Sequence, residues 1–368
     1  MRMRRSHLAT SILLALSASA AHASVDLIAA GNISGLYEDF SSDTAAPLEN
    51  GVPGNRLGGM GSALAYAGCN TFLGLPDRGP NAVTFDDSID STASYIPRFQ
   101  TLHMTLAKSD AGAKLPYTLT PFVVDTTLLG SFTPLNYNVV PELNRKRHEF
   151  FFSGRSDNFD PKQPSTNPRN ARFDPEGIRV ANDGRSVFVT DEYGPYLYQF
   201  DRETGVRVRS YALPAKFAVT NLSPMGATEI SGNTVGRVAN KGMEGLAITP
   251  DGRTLIGAMQ SPLIQDGGTD APITRIVKVD VRSGQVREYA YELTNIGTAA
   301  KPKYGTVSEI LAINSHEFLV DERDGKGLGD DSSASFKRVF HIDLDGATEV
   351  SNIVGKDNLA GKAVQKQL

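Results

Sequence analysis

The chain has 368 residues, with 41 acidic side chains against 37 basic ones, a net charge of −4, 35 glycines, 20 prolines and one cysteine. The acidic balance excludes nucleic acid as a partner held by its phosphates, and the lone Cys69 excludes an intrachain disulfide or a paired-cysteine zinc site. No segment beyond the first 23 residues has the apolar length of a membrane-spanning helix, which excludes stable membrane insertion.

The chain opens MRMRRSHLATSILLALSASAAHAS. Arg2, Arg4 and Arg5 form a basic region, Leu8 to Leu16 a short apolar run, and Ala21-His22-Ala23 a small-x-small cleavage site. Residues 1–23 are therefore expected to be a signal peptide, with export to the periplasm or the medium and Ser24 as the new N-terminus. The Arg4-Arg5 pair leaves twin-arginine export open. Removing the three arginines takes the net charge from −4 to −7, which allows cation binding.

The remaining residues, 24–368, show no linker and few helical periodicities. Short strands alternate with Gly/Asp turns, which predicts one all-β domain. Val25–Tyr37 offers one strand. Four segments then repeat: GSALAYAGCNTFLGLPDRG from Gly61, PEGIRVANDGRSVFVTDEYG from Pro175, MEGLAITPDGRTLIGAMQSP from Met243 and SEILAINSHEFLVDERDG from Ser308. Each is an apolar strand, a tight turn and a second apolar strand. Third strands follow in YLYQFDRETG, RIVKVDVRSG and RVFHIDLDGA, and fourth strands in VRVRSYALP, QVREYAYEL and the weaker ATEVSNIV. The unit is four antiparallel strands, and its recurrence predicts a β-propeller of about six blades, the last incomplete. A β-sandwich is the competing fold. Residues 62–175 hold one blade with a long insertion, or two. That stretch includes the loop Phe85–Asp90, the basic run Arg145 to His148 and the Pro/Asn-rich loop Asp157–Arg172. The tail Lys356–Leu368 is polar and completes no further unit.

Acids flank these hairpins. Glu176 and Glu192 bracket one, Glu309 and Glu322 another; Glu244 opens the third, which Gln260 closes, and Asp77 closes the first. A hairpin brings its two ends together, and repetition about an axis would gather Glu176, Glu244 and Glu309 in a ring. Asp77, Asp191, Glu192, Asp321, Glu322 and Asp324 would stand behind them. Such a cluster must raise its pKa values, pair with cations or bind a metal. Oxygen ligands without Cys or His favour Ca²⁺, with Mg²⁺ second. Arg78 and Arg323, each following an acid, would suit a phosphate or carboxylate group. Any one of these acids alone is as well explained by a turn cap or a blade-to-blade ion pair. Other chemistries lack residues: there is no G-x-S-x-G, P-loop or H-E-x-x-H, and His103, His148, His316 and His341 are scattered.

GGMGSALAY…LGLPDRGPN, ARFDPEGIRV…VFVTDEYGPYLYQFDRETG, NKGMEGLAITPDG…AMQSPL and VSEILAINSHEFLVDERDGKG resemble the phytase-like family, described as having esterase-like activity of phytase. The resemblance covers most of residues 55–350. It implies a secreted β-propeller with phosphoester hydrolase activity and active positions at Glu176, Asp191, Glu192, Glu244, Glu309, Asp321, Glu322 and Asp324. Family members continue with a further blade where this chain stops, so a shortened C-terminus is expected. The leading expectation is an exported phosphoester hydrolase acting on a small phosphorylated substrate. Its metal ligands are Glu176, Glu244, Glu309, Asp77, Asp191, Asp321 and Asp324, and its catalytic groups Glu192, Glu322, Arg78 and Arg323. A metal-dependent lactonase or carboxylester hydrolase, and a non-catalytic binding propeller, are the alternatives.

Overall fold

A computed structural model describes residues 26–58, 60–80, 84–86, 89–90, 92–137, 145–146, 149–154, 162–327 and 332–368. The signal segment, and with it the expected cleavage, lies outside these residues, as do parts of the loops Phe85–Asp90, Arg145–His148 and Asp157–Arg172. The chain divides into two compact units. The smaller holds residues 26–31 and Leu106–Leu119, where the Tyr117 N–H donates to the Ile28 carbonyl at 3.0 Å. The larger, Asn32–Thr105 with Thr120–Leu368, contains the candidate site and all the strands below except the ends of two, at Leu106–Lys108 and Tyr117–Leu119.

The strands in chain order are β1 (Met60–Tyr66), β2 (Thr71–Pro76), the small hairpin β3 (Thr84–Asp86) and β4 (Ile89–Asp90), β5 (Arg98–Lys108), β6 (Tyr117–Leu128), β7 (Gly130–Ser131), β8 (Arg145–Lys146) and β9 (Glu149–Phe151). Then come β10 (Pro175–Val180), β11 (Ser186–Asp191), β12 (Leu197–Asp201) and β13 (Arg207–Tyr211), followed by helix α1 (Gly226–Ser231). After it run β14 (Met243–Ile248), β15 (Thr254–Met259), β16 (Ile273–Asp280) and β17 (Val286–Glu292). The last are β18 (Thr306–Ala312), β19 (Glu317–Arg323), β20 (Lys337–Asp343), helix α2 (Lys356–Leu359) and β21 (Lys366–Gln367).

These form four four-stranded antiparallel sheets, β1-β2-β5-β6, β10-β11-β12-β13, β14-β15-β16-β17 and β18-β19-β20-β21. Their first strands pack side by side in succession, β1 on β10, β10 on β14 and β14 on β18. That is a β-propeller, with these strands innermost. Four complete blades are present among the described residues, where six were expected. Residues 62–175 resolve into one blade with the β3–β4 insertion, followed by a three-stranded sheet, β7-β9-β8.

The cores lie between neighbouring blades. Ala63, Leu73, Leu75 and Phe99 meet Ile178, Val187 and Val189 of the second blade, with Phe152 and Phe173 between. Ala247, Ile256 and Ile276 meet Ile310, Phe318 and Val320 of the fourth. Alternate residues of each strand feed these layers, and for two of the blades the Asp-Gly turns at Asp183-Gly184 and Asp251-Gly252 supply the left-handed glycines, at φ 70° and 71°, that close the hairpins.

One expected strand is misplaced. Residues 347–354, ATEVSNIV, do not complete the last blade. They cross to the outer edge of the third, where Glu349 bridges Tyr289 and the Val350 N–H donates to Glu288 O at 2.8 Å. The fourth strand of the last blade is instead β21, in the tail, paired with β20 through Ile342–Lys366 and His341–Gln367.

Candidate active site: a carboxylate cluster at the hairpin ends

The register of the inner hairpins decides which acids meet. In the second blade Pro175 pairs with Asp191 and Gly177 with Thr190, so Glu176 is bulged out of the ladder. In the third, Met243 pairs with Met259 and Gly245 with Ala258, so Glu244 is the bulged residue. A bulge re-aims its side chain away from the ladder. The following glycine makes room for the next inner strand. A Cβ on Gly177 would lie 2.7 Å from Leu246 Cβ, and one on Gly245 would lie 3.0 Å from Ile310 N. The Glu-Gly pair thus combines a bulged acid with a close strand approach.

The residue just past each second strand faces the same place. These are Asp77, Glu192 and Gln260, following Pro76, Asp191 and Met259. Asp174 joins from before β10; its carbonyl accepts the Glu192 N–H at 3.0 Å. One carboxylate oxygen from each of Asp174, Glu176 and Glu192 lies within 4.8 Å of the others. Glu244 adjoins them, held by Gln260 Nε2 at 2.6 Å and Arg323 Nη2 at 3.2 Å. Arg78 pairs with Asp174 through Nη1, its backbone N–H reaches the same carboxylate at 3.0 Å, and Nη1 donates to Asn240 Oδ1 at 2.5 Å. Asn240 sits at φ 53°, a left-handed conformation that asparagine tolerates. Asp174 is fully buried, and Glu176, Glu192 and Glu244 are no more than 8 % exposed.

Buried like charges resist ionisation. Burial, reinforced by Asp174, pushes Asp77 up to about 7. Burial, then Glu244 and Asp174, holds Glu176 and Glu192 well above the usual carboxylate range. Glu244 is also raised by burial, against the pull of Arg323. Glu192 Oε1 is buried and receives no N–H or hydroxyl donor among the described residues, and the Glu192 and Glu244 carboxyls are close enough to share a proton.

Five expected site residues lie elsewhere in the hydrogen-bond network. In the fourth blade Val307 pairs with Glu322 and Glu309 with Asp321, so the bulged residue is Ser308, not Glu309. Glu309 occupies the place of Gly245. Its Oε2 meets Arg179 Nη2 of β10 at 2.9 Å, and its Oε1 accepts the Leu246 and Ile310 N–H groups at 3.2 and 2.8 Å. Glu322 matches Asp191, not Glu192. It is buried and accepts from Tyr291 Oη (2.5 Å), Lys366 Nζ (2.6 Å) and the Thr294 N–H (2.9 Å). Asp191 caps a turn, accepting the N–H groups of Asp174, Gly194 and Tyr196, while burial lifts its carboxyl to about 7. Asp321, on β19, has neighbours Lys337 and Arg323, and burial raises its carboxyl. Asp324 caps the loop at Ser335 and Phe336 and pairs with Lys337 at 3.1 Å. Arg323 corresponds to Asp77 and Glu192, one place earlier than Arg78 does. A one-residue slip in a strand moves a side chain to the other face, and aligning glutamate with glutamate introduced that slip in the last blade.

Asp174, Asn240 and Lys241 are neighbours that the sequence pattern did not single out, while Gln260, read there as closing the third hairpin, is the partner of Glu244. Asp174 stands two residues before Glu176 in FDPEG, the one signal that marked it.

The fold and this cluster define the class: a β-propeller with a buried, arginine-flanked carboxylate site. Residues 55–368 match the Phytase-like family, described as "Esterase-like activity of phytase", and the chain belongs to that family. An uncharacterized secreted protein from Arthroderma benhamiae is 30 % identical over 217 residues, which cover 52 % of this chain and 42 % of the relative, so the match spans less than half the relative's length. Among solved structures, a protein provisionally described as a 6-phosphogluconolactonase from Bacteroides uniformis is 12 % identical. That match covers 83 % of this chain and 70 % of the other, with a TM-score of 0.34. A functionally unknown protein from Desulfotomaculum acetoxidans is 10 % identical, covering 81 % and 82 %, with a TM-score of 0.27. Likeness at this level bears on neither substrate nor site. Among the described residues no helix is long and apolar enough to cross a membrane.

Proposed function

We propose that the chain is an exported phosphoester hydrolase working at the cluster of Asp77, Asp174, Glu176, Glu192 and Glu244 with a bound divalent cation, Ca²⁺ before Mg²⁺. The observation that carries this reading is the convergence of three carboxylate oxygens within 4.8 Å, with a buried oxygen of Glu192 that no N–H or hydroxyl group among the described residues reaches. An all-oxygen donor set of this kind fits a hard cation. Asp174, Glu176 and Glu192 would hold it. When bound, the ion supplies Lewis-acid polarisation and a water of lowered pKa.

The chain's own residues supply the rest. Arg78 and Arg323 are fixed by Asp174 and Glu244 and present guanidinium groups suited to phosphoryl oxygens. Asp77 is pushed up to about 7 by burial and Asp174 in the cation-free site, and a bound cation would pull it back toward the carboxylate that can accept a proton from water. Glu309 and Glu322, engaged elsewhere, take no part. Export is supported by residues 1–23 and by the secreted relative. Sequencing the exported form should find Ser24 first; an intact Met1 on cytoplasmic protein counts against export.

The activity test uses p-nitrophenyl phosphate with Ca²⁺, with chelator, and with Glu192→Gln. Chelation and the substitution should each lower turnover about 100-fold or more, the scale of losing an acid–base or electrostatic group. Turnover of p-nitrophenyl acetate alone would favour the carboxylester alternative. No turnover of either ester would favour a binding propeller.

A further inference from the structure

Beside the cluster lies a cavity of about 360 Å³, a size suited to a small molecule. Its wall has two characters. Lys241, Lys303 and Arg323 bring positive charge, and Leu293, Pro302 and Tyr304 bring apolar surface. Two of the cations also belong to the edge of the cluster. Arg323 Nη2 is 3.2 Å from Glu244 Oε1. Lys241 Nζ donates to Gln260 Oε1 at 2.9 Å, and the Gln260 amide donates to Glu244 at 2.6 Å. Cavity and cluster therefore share the wall formed by Lys241 and Arg323. Asp270 and Asp324 also line the cavity, but Asp324 is already occupied by Ser335, Phe336 and Lys337. At the shared wall Lys241 and Arg323, though engaged by Gln260 and Glu244, keep further N–H groups for an anion, and Asp270 stands elsewhere in the lining.

Away from the shared wall only Lys303 could meet further charge on a ligand, while Leu293, Pro302 and Tyr304 offer contact surface that rewards apolar area. A molecule with one anionic head and a compact apolar or aromatic body matches both halves. We infer that this cavity binds the apolar or aromatic body of an anionic ester, with its acidic head at Lys241 and Arg323. Naming that body the leaving group rests on the hydrolase reading; the binding preference does not.

The test is calorimetry on the full chain with two non-hydrolysable probes, phenylphosphonate and methylphosphonate. Phenylphosphonate should bind at least tenfold more tightly. Tyr304→Ala should remove most of that ratio while leaving methylphosphonate affinity within twofold. Thr269→Trp, at an exposed position on the rim, should narrow the cavity and weaken phenylphosphonate selectively. Equal affinities, no binding of either probe, or a ratio indifferent to both substitutions would overturn the inference. An intact phenyl preference in a protein whose esterase activity ignores Glu192→Gln would sustain the cavity and defeat only the hydrolase reading.

Discussion

Asp77 and Glu192 show how burial sets the chemistry of this site. Burial and neighbouring carboxylates push Asp77 up to about 7 and hold Glu192 well above its ordinary range. In the unfolded chain both groups release their protons near pH 4. The metal-free fold therefore binds protons that the unfolded chain gives up. The contribution of Asp77 to stability is greatest below about pH 4 and is lost as pH rises through about 7, and that of Glu192 is lost in the same direction. Cation binding runs the opposite way, because ligands must be deprotonated. The metal-free protein should melt several degrees lower at pH 8 than at pH 5, and Ca²⁺ should close most of that gap. Glu192→Gln, which removes the charge but keeps the size, should raise the metal-free melting temperature at pH 8. A metal-free protein that is more stable at pH 8 than at pH 5 would contradict this electrostatic picture.

At the scale of the strands, the Glu-Gly pair is the element that builds the site. The acid is bulged toward the cluster, and the glycine lets the neighbouring inner strand come close. A Cβ on Gly177 would meet Thr190 Oγ1 at 2.4 Å and Leu246 Cβ at 2.7 Å. Gly177→Ala should therefore force β10 from β14, costing about 1–3 kcal/mol as overpacking does, and should weaken cation binding because Glu176 shifts with its strand. Denaturant unfolding and calcium titration of the same variant check both effects. A variant as stable as the parent would show that the approach is looser than drawn. The glycine also explains what the sequence concealed. Glu176 and Glu244 were legible because hairpin turns and flanking acids recur at matching places. Glu309 looked equivalent, yet Ile310 rather than glycine follows it, and the ladder places Ser308 at the bulge. Glu322 was drawn in by the same slip; its partners Tyr291, Thr294 and Lys366 are 28 to 44 residues away in sequence and leave no local mark. Strand order, turn positions and the alternating apolar layers are local properties and could be read directly. The destination of residues 347–354 depends on a neighbouring blade's free edge, and no property of the segment itself announces it.

Across the whole molecule, the blades act as a frame that carries one short acidic turn after another to a shared place. Asp77 comes from the first blade, Asp174, Glu176 and Glu192 from the second, and Glu244 from the third, while the fourth contributes Arg323 in place of an acid. Neighbouring blades must therefore be docked for the whole cluster to exist, and a cation held by its second-blade carboxylates should stabilise the fold by mass action. At a hundredfold excess over its dissociation constant the gain is about 2.7 kcal/mol. The most direct measurement is a calcium titration by calorimetry on the intact chain, beside Glu192→Gln. A saturable site in the parent protein, at least tenfold weaker in the variant and accompanied by a calcium-dependent rise in melting temperature, is the expected result. Calcium and magnesium that neither bind nor shift the melting temperature would contradict the assignment of these carboxylates as a metal site.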